Sequence, residues 1–410
     1  MGAEALNDYI LSEIADVVDC EHKTAPKVDS SKYCSVRTTD ILNGKIDYEN
    51  ANRVSEETYA KWTKRATPES EDIVLAREAP VGEVGWIKDG YRVCLGQRTV
   101  LIRVTHSEVS KRFLLYHLVN PETKYELQVR SGGSVVAHLN MKDIRNFKLS
   151  LPPLPEQKAI AQVLSSLDDK IDLLHRQNKT LEAITETLFR QWFIEETQDD
   201  WEEEILEDYI SVKHGYAFKG KFISKDKSDQ VLVTPGNFKI GGGFKMGKTK
   251  YYHDSDFPKG YILEKDDLVL TMTDLSKQGD TLGYPALIPA RSGLTYLHNQ
   301  RIGKVIFDSS LSKYFLYFLM RTAQYQWYIL GTASGTSVRH TSPTSICNYS
   351  FLMPSKSKMN EFDVVASSSL DKVSRNISAI ATLEKLRDTL LPQIISGEVR
   401  VAVEPDLKAA

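Results

Sequence analysis

The feature that most constrains this chain is a stretch of 39 residues, 155–193, with no glycine and no proline after Pro155. A proline is tolerated in the first turn of a helix but not in its interior. Within the stretch, two series of mainly apolar residues recur every seven positions, which is typical of a helix in a coiled coil. The two series are Ile160, Leu167, Leu174, Leu181 and Leu188, and Leu164, Ile171, Asn178, Thr185 and Trp192.

Asn178 is the clearest polar interruption of this seam. One polar residue at such a position fixes the register and the number of partner helices at a cost in stability. The alternative is a long amphipathic helix on an ordinary core, but five heptads exceed the usual length of such a helix.

A second helical stretch closes the chain, from about residue 360 to Gly397. Its apolar residues continue after a phase slip, and Pro392 is expected to kink or end the helix near its last turn. Two such helices can pair with each other antiparallel, and the first would form a rod of roughly 58 Å. The second seam consists of Leu370, Val373, Ile377 and Ile380, and Leu383, Leu386, Leu390 and Ile394 follow the slip.

The segments that precede the two helices look like one domain used twice. Matching motifs follow each other in the same order, and the offset between them drifts only from 195 to 203. This indicates duplication of a domain-plus-helix unit of about 200 residues, far longer than the repeat of a solenoid. The matched segments are 72–75 with 267–270, Gln97-Arg98 with Gln300-Arg301, 112–116 with 313–317, 131–135 with 334–338, and 144–152 with 346–354.

Short β-branched runs with glycine- and asparagine-marked turns fill each globular segment. We therefore predict an α+β fold: two mixed domains joined by two long helices in an antiparallel coiled coil, with an internal pseudo-twofold repeat. The predicted divisions are domain 1 at 1–152, helix 1 at 153–196, domain 2 at 197–355, helix 2 at 356–400 and a tail at 401–410.

The formal net charge of −3 hides an uneven distribution. Residues 153–200 hold 5 basic and 10 acidic side chains, whereas residues 209–354 hold 18 basic and 10 acidic ones. The basic surplus is interleaved with aromatic residues, a combination suited to phosphate contact and base reading. Residues 1–152 carry a net charge of −1, so the case for DNA is weaker in the first domain.

Several classes of protein are disfavoured by what the sequence lacks. There is no phosphate-binding loop, no His-Glu-x-x-His metal motif and no Gly-x-Ser-x-Gly elbow. Cys20-Glu21-His22 offers two metal ligands, too few for a site. The four scattered cysteines fit reduced thiols in the cytoplasm. No apolar run approaches the roughly 20 residues that span a bilayer, so no membrane association is expected.

Residues 151–193, which begin Leu-Pro-Pro-Leu-Pro-Glu-Gln, resemble the central conserved helix of specificity subunits of type I restriction–modification systems. Residues 383–398 resemble that family's second conserved helix, although Pro354-Ser355-Lys356-Ser357 lacks the Leu-Pro-Glu-Gln of the helix entry.

The resemblance implies a non-catalytic subunit that reads a bipartite, asymmetric site in double-stranded DNA. It also implies docking of two methylation subunits, with restriction (translocase) subunits able to join them. S-adenosylmethionine, ATP and Mg are implied only for those partners, and no cofactor or metal for this chain.

Candidate DNA contacts are polar residues of the duplicated loops and of loops that differ between the domains. Arginine suits guanine, and glutamine or asparagine suits adenine. The Gln-Arg pairs could instead be structural, because a feature common to both domains cannot explain different target sequences. The duplicated-loop candidates are Gln97, Arg98, Ser134, Gln300, Arg301, Ser337 and Arg339, and those from dissimilar loops are Lys219, Lys221, Asn237, Lys239, Ser276 and Lys277.

Two other functions stay open at this point. The near-neutral total charge permits a coiled-coil scaffold or adaptor with two protein- or carbohydrate-binding domains. An enzyme with an unrecognised site is the other alternative, for instance a nuclease that uses carboxylates and magnesium. Binding that is insensitive to the salt concentration, or that duplex DNA leaves unchanged, would favour the adaptor. Turnover by the chain alone, abolished by one carboxylate substitution, would favour the enzyme.

Overall fold

A computed structural model describes residues 6–132, 137–247, 249–274, 276, 278–290, 293–308 and 311–402. The chain divides into two compact units, one formed by residues 1–172 with 382–410 and the other by residues 173–381. Ser134, Lys277 and most of the predicted tail lie outside the described residues. No helix in the described part of the chain is both long enough and apolar enough to cross a membrane.

The first unit contains eleven described strands and five short helices. The strands are β1 (Asn7–Ile10), β2 (Ala15–Asp19), β3 (Tyr33–Val36), β4 (Ile41–Leu42), β5 (Lys45–Ile46), β6 (Asn52–Val54), β7 (Ile73–Ala76), β8 (Val84–Trp86), β9 (Arg92–Leu95), β10 (Thr99–Val104) and β11 (Lys148–Leu151). The helices are α1 (Leu11–Ile14), α2 (Glu56–Trp62), α3 (Lys111–Val119), α4 (Pro121–Val129) and α5 (Met141–Arg145).

A four-stranded antiparallel sheet in the order β2-β10-β7-β8 forms the centre of this unit. Strand β7 is buried along its whole length, and its residues alternate between two cores. Ile73 and Leu75 join the core beneath α3, while Val74 and Ala76 join a second core against β3 and β9. Because both faces of the strand are covered, its sequence is a continuous apolar run instead of an alternating one.

The second unit contains thirteen described strands and three short helices. The strands are β12 (Glu203–Ile205), β13 (Ile210–His214), β14 (Ile223–Ser224), β15 (Gln230–Val233), β16 (Lys250–Tyr252), β17 (Ile262–Leu263), β18 (Leu268–Thr271), β19 (Thr273–Asp274), β20 (Pro285–Leu287), β21 (Thr295–His298), β22 (Ile302–Phe307), β23 (Arg339–His340) and β24 (Ser350–Leu352). The helices are α7 (Lys313–Leu319), α8 (Ala323–Thr332) and α9 (Pro343–Cys347).

The second unit repeats the topology of the first. Its central antiparallel sheet has the order β13-β22-β18-β20, and each strand stands where β2, β10, β7 and β8 stand in the first unit. The parallel pair β15 and β21 corresponds to the parallel pair β3 and β9. The duplication inferred from the sequence is thus also a duplication of strand order, with additional strands in the second unit.

Two long helices take part in both units. Helix α6 (Leu154–Arg190) continues into a π-helical turn at Gln191–Glu195, and helix α10 runs over Lys356–Ile395. Pro392 lies in the last turn of α10, which ends three residues beyond it, close to the end expected from the sequence.

Within the first unit, a charged network fixes α6 to the domain and to α10. The carboxylate of Asp168 accepts a hydrogen bond from the Tyr116 hydroxyl at 2.8 Å and one from Arg387 at 2.8 Å. One turn further along α6, Asp172 pairs with Lys45 at 3.1 Å and with Lys88. These partly buried ion pairs fix which turn of each helix faces the domain.

Within the second unit, α6 and α10 pack side by side and antiparallel. The Nδ2 of Asn376 lies 2.8 Å from the Oδ1 of Asn178, and the rings of Phe189 and Phe362 lie 5.5 Å apart. Residue numbers therefore increase along α6 in the direction in which they decrease along α10.

The predicted seam residues differ in their burial. Those that are buried are Ile160, Leu164, Ile171, Leu174, Val373 and Ile380, and those that are half-buried are Leu167, Asn178, Leu181, Leu188, Leu370 and Ile377.

Candidate nucleic-acid interface

In the first unit the predicted pair Gln97-Arg98 forms the turn between β9 and β10. Arg98 has a φ of 71°, a left-handed conformation that few side chains adopt outside tight turns. Gln97 accepts a hydrogen bond from the Thr24 hydroxyl at 3.1 Å, and the Nε of Arg98 pairs with Glu78 at 2.7 Å. Both side chains therefore have protein partners, although that of Arg98 is still 52% exposed.

In the second unit Gln300-Arg301 occupies the same turn, between β21 and β22, and both residues are exposed. The amide of Gln300 donates to the carbonyl of Tyr216 at 3.0 Å, and that of Arg301 donates to the Asn299 side chain at 3.0 Å. The backbone is thus held while both side chains remain accessible to a ligand.

In each unit, equivalent backbone hydrogen bonds join three loops. In the first, the amide of Arg77 donates to the carbonyl of Arg98 at 3.0 Å, and that of Leu139 donates to the carbonyl of Arg77 at 2.8 Å. These bonds place the Gln-Arg turn and the segment after β7 beside the end of the Ser-Gly loop, which is the loop that begins at Ser131 in the first unit and at Ser334 in the second.

The equivalent bonds in the second unit run from Met272 to Arg301 at 2.9 Å and from Thr341 to Met272 at 3.1 Å. We call each such set of three adjoining loops a reading edge, centred on Arg98, Arg77 and Leu139 in the first unit and on Arg301, Met272 and Thr341 in the second. Sequence analysis predicted candidate contacts in the outer two loops of both units and, with Ser276, in the middle loop of the second unit. It predicted none in the middle loop of the first unit, although the motif 72–75 ends just before that loop and could have located it.

A glycine allows the loop after β13 to reach the reading edge of the second unit. A Cβ atom placed on Gly215 would stand 2.1 Å from the carbonyl oxygen of Asn299 and 2.3 Å from its carbonyl carbon. Only glycine permits this approach, which brings Tyr216 against the Gln300-Arg301 turn.

The Ser-Gly loops lead into the reading edges. In the second unit, Ser334 and His340 form a bridge, and Gly335 turns the chain with a φ of 88°. Ser337 is exposed in this loop, and Arg339 is half-buried in β23 opposite Asp274. In the first unit Gly132 and His138 form the corresponding bridge, and Ser134 between them lies outside the described residues.

Two predicted DNA contacts have structural roles instead. Asn237 is fully buried, and its Oδ1 accepts from the amide of Thr234 at 2.9 Å while its Nδ2 donates to the carbonyl of Lys245. The hydroxyl of Ser276 accepts from the amides of Gly279 at 3.0 Å and Asp280 at 2.9 Å. The polar groups of both residues are used inside their own loops, so neither is a good candidate for contact with a base.

Asp274 holds the loop that contains Ser276. Burial alone would raise the pKa of its carboxyl, but hydrogen bonds from Ser276 and Thr281 outweigh burial and lower that pKa below its ordinary value. The carboxylate is therefore a stable anion that organises the middle loop of the second reading edge.

The predicted lysines differ in their exposure and in whether a carboxylate of the protein pairs with them. Lys219 and Lys221 are exposed, and the ammonium of Lys221 lies 4.7 Å from the centre of the Phe222 ring. Lys239 is less free, because its ammonium pairs with Glu182 of α6 at 3.3 Å. Lys219 and Lys221 remain the stronger candidates for phosphate contact, and Lys277 lies outside the described residues.

The structure adds Asp19 to the two potential metal ligands near the start of the sequence. Ligand atoms of Asp19, Cys20 and His22 lie within 4.8 Å of one another. The Asp19 carboxylate is held by Arg77 at 3.0 Å and by His22 at 3.1 Å, and burial raises the pKa of the Cys20 thiol. A guanidinium already neutralises this carboxylate and the thiol favours its protonated form, so the cluster suits a hydrogen-bonded strand end better than a cation site.

Comparisons with known proteins identify what this chain is similar to. A family model described as the type I restriction modification DNA specificity domain matches residues 7–183. The specificity subunit of the type I restriction enzyme MjaIX from Methanocaldococcus jannaschii is 25% identical, over 96% of this chain and 94% of its own length. The chain is similar to type I restriction enzyme specificity subunits over nearly its whole length.

Further relatives match most of the length of the chain. The HindI specificity subunit of Haemophilus influenzae is 22% identical, over 93% of this chain and 98% of its own length. The crystal structure of a type I S subunit from M. genitalium matches 96% of this chain and 97% of its own with a TM-score of 0.58 at 13% identity, which shows a shared fold. These relatives are specificity subunits of type I restriction systems.

Proposed function

We propose that each unit of this chain reads one half of a bipartite, asymmetric target in double-stranded DNA. The observation that carries the proposal is the pair of reading edges, built by the same backbone hydrogen bonds but presenting different side chains. Arg98 is tied to Glu78, whereas no such carboxylate partner is found for Arg301 among the described residues. Two equivalent scaffolds with unequal surfaces suit two different half-sites better than a palindrome.

The charge of the second unit supports direct contact with DNA. Residues 209–354 carry an excess of eight basic side chains, and Lys219 and Lys221 stand exposed on the loop that leads away from Gly215. Contacts to phosphate position a protein on the duplex, and side chains such as Arg301 can then read base edges.

The long helices suit the two remaining parts of the proposed function, which are spacing the half-sites and binding the partner subunits. Because α6 and α10 each take part in both units, we propose that they set the gap between the half-sites. We also propose that two methylation subunits dock on this chain, and that restriction (translocase) subunits join them. S-adenosylmethionine, ATP and Mg would be bound by those partners, and the assembly would act on DNA in the cytoplasm.

Selection from a random duplex pool tests this proposal. The chain, purified with the methyltransferase encoded beside it, is expected to enrich two short unlike motifs at a fixed gap. The affinity for the enriched duplex should fall steeply as the KCl concentration rises, because bound lysines and arginines displace counterions. Enrichment of no motif, together with salt-independent binding, would contradict the proposal and favour an adaptor.

A further inference from the structure

Helices α4 and α8 occupy equivalent positions in the two units. Each follows directly on a buried helix, α3 or α7, and each begins after a polar residue, Asn120 or Thr322. Counting from these residues, Leu127 and Ile329 fall at the same position, and both are buried. The two helices therefore rest on their domains in the same way.

Two positions before these buried anchors, each helix carries an exposed aromatic residue. Tyr125 is 67% exposed on α4, and Trp327 is 72% exposed on α8. A single exposed aromatic needs no explanation, but the same position in both copies of a diverged repeat carries one here. Tyrosine and tryptophan are also the residues most enriched among those that carry the binding energy of protein interfaces.

The charge around these aromatics argues against contact with DNA. Helix α8 has no charged residue over Ala323–Thr332, although it belongs to the basic second unit. Around Tyr125, Glu122 and Glu126 are exposed, and the two nearby cations already have carboxylate partners, since Arg130 pairs with Glu126 at 3.8 Å and Lys124 pairs with Glu83. A surface that touches phosphate needs cations, so these two helix faces suit a protein partner.

We propose that Tyr125 and Trp327 are equivalent anchors on which two copies of one protein partner dock, one copy on each unit. Because the two helix faces share the aromatic but not their charges, the common part of the surface is an apolar anchor. Each copy of the partner would receive this anchor in an apolar pocket. The inference rests on the proposed function, in which the methylation subunit is the partner present in two copies.

Native mass spectrometry of the co-expressed complex tests the anchors directly. The wild-type chain should carry two methyltransferase copies, while Tyr125→Ala and Trp327→Ala should each carry one and the double variant none. Loss of a central anchor should weaken each site about 30-fold or more. Leu42→Ala removes an apolar side chain of similar exposure from β4 and should retain both copies. Far-UV circular dichroism verifies that the variants fold.

Fluorine NMR distinguishes a protein partner from DNA. Labelling the five tryptophans with 5-fluorotryptophan gives five signals, and the one missing from Trp327→Phe belongs to Trp327. This signal should shift when the purified methyltransferase is added, and it should not shift with duplex DNA alone.

The outcomes separate this inference from the proposed function. A wild-type chain that binds its target duplex but no methyltransferase overturns the proposed docking and the anchors together. Two bound copies on the wild-type chain and on both alanine variants, with equal affinity, overturn the anchors alone. A Trp327 signal that shifts with DNA alone also overturns them.

Discussion

Asn376 of α10 donates a hydrogen bond from its Nδ2 to the Oδ1 of Asn178 in α6, at 2.8 Å. Asn376 is only 2% exposed, so its amide has little access to water and depends on partners across the helix pair. This polar pair penalises other registers, because a shifted register would leave the buried Asn376 amide without a partner.

Replacing one of these asparagines is expected to lower the free energy of unfolding more than replacing both. Asn178→Leu leaves the Asn376 amide without its best acceptor and should lower the free energy of unfolding by about 1–3 kcal/mol. Asn178→Leu with Asn376→Leu should recover much of that loss, because two apolar residues replace the polar pair. Urea unfolding of the full chain, followed by far-UV circular dichroism, measures both. Strictly additive losses would show that the two side chains are not coupled.

His298 should make the second unit sensitive to acid. It is buried, its Nε2 lies 2.8 Å from the carbonyl oxygen of Ile302, and burial lowers its pKa to about 4. The unfolded chain has a higher histidine pKa and binds the proton first as the pH falls from about 6.5. Stability is therefore present at neutral pH and is lost down to about pH 4, with about 2 kcal/mol lost between pH 7 and pH 5.

His298→Gln removes the titrating group but keeps an N–H donor for Ile302. The difference between the urea midpoints at pH 7 and pH 5 should be clearly smaller in this variant than in the wild-type chain. An unchanged difference would mean that other groups cause the acid sensitivity.

Arg301 and Lys219 should affect DNA binding in different ways. Arg301→Ala removes a candidate base contact and is expected to cost about 1–3 kcal/mol on the preferred duplex and to relax the choice of one base. Lys219→Ala removes a candidate phosphate contact and should weaken binding to every duplex alike, with a salt slope smaller by about 1. Fluorescence anisotropy over a range of KCl concentrations measures both effects. Lys265→Ala serves as a control, because Lys265 pairs with Asp266.

Lengthening both helices should lengthen the gap in the DNA target. The two units divide between Asp172 and Leu173 in α6 and between Ala381 and Thr382 in α10. One heptad inserted at both points preserves the Asn178–Asn376 and Asp168–Arg387 contacts and adds about 10 Å, or about three base pairs. Mapping of methylated sites should show a longer gap or a loss of methylation. Full methylation at the original gap would show that the helices do not set it.

The sequence predicted the repeat and both long helices because heptads and matched motifs are local patterns. It missed Asn376 because a buried polar residue within a helix seam is explained only by the side chain that it faces. It also placed Asn237 and Ser276 among the DNA contacts. The residue types that read bases also organise turns: Asn237 accepts a hydrogen bond three residues back, from the amide of Thr234, and sequence alone does not separate the two uses.

Mapping of modified adenines in cells that express this chain with its neighbouring methyltransferase tests the central claim most directly. The account predicts one asymmetric motif with two unlike parts and a fixed gap, lost when the chain is omitted. A palindromic or continuous motif, or the same modified sites without the chain, would contradict the claim that its two units read two different half-sites.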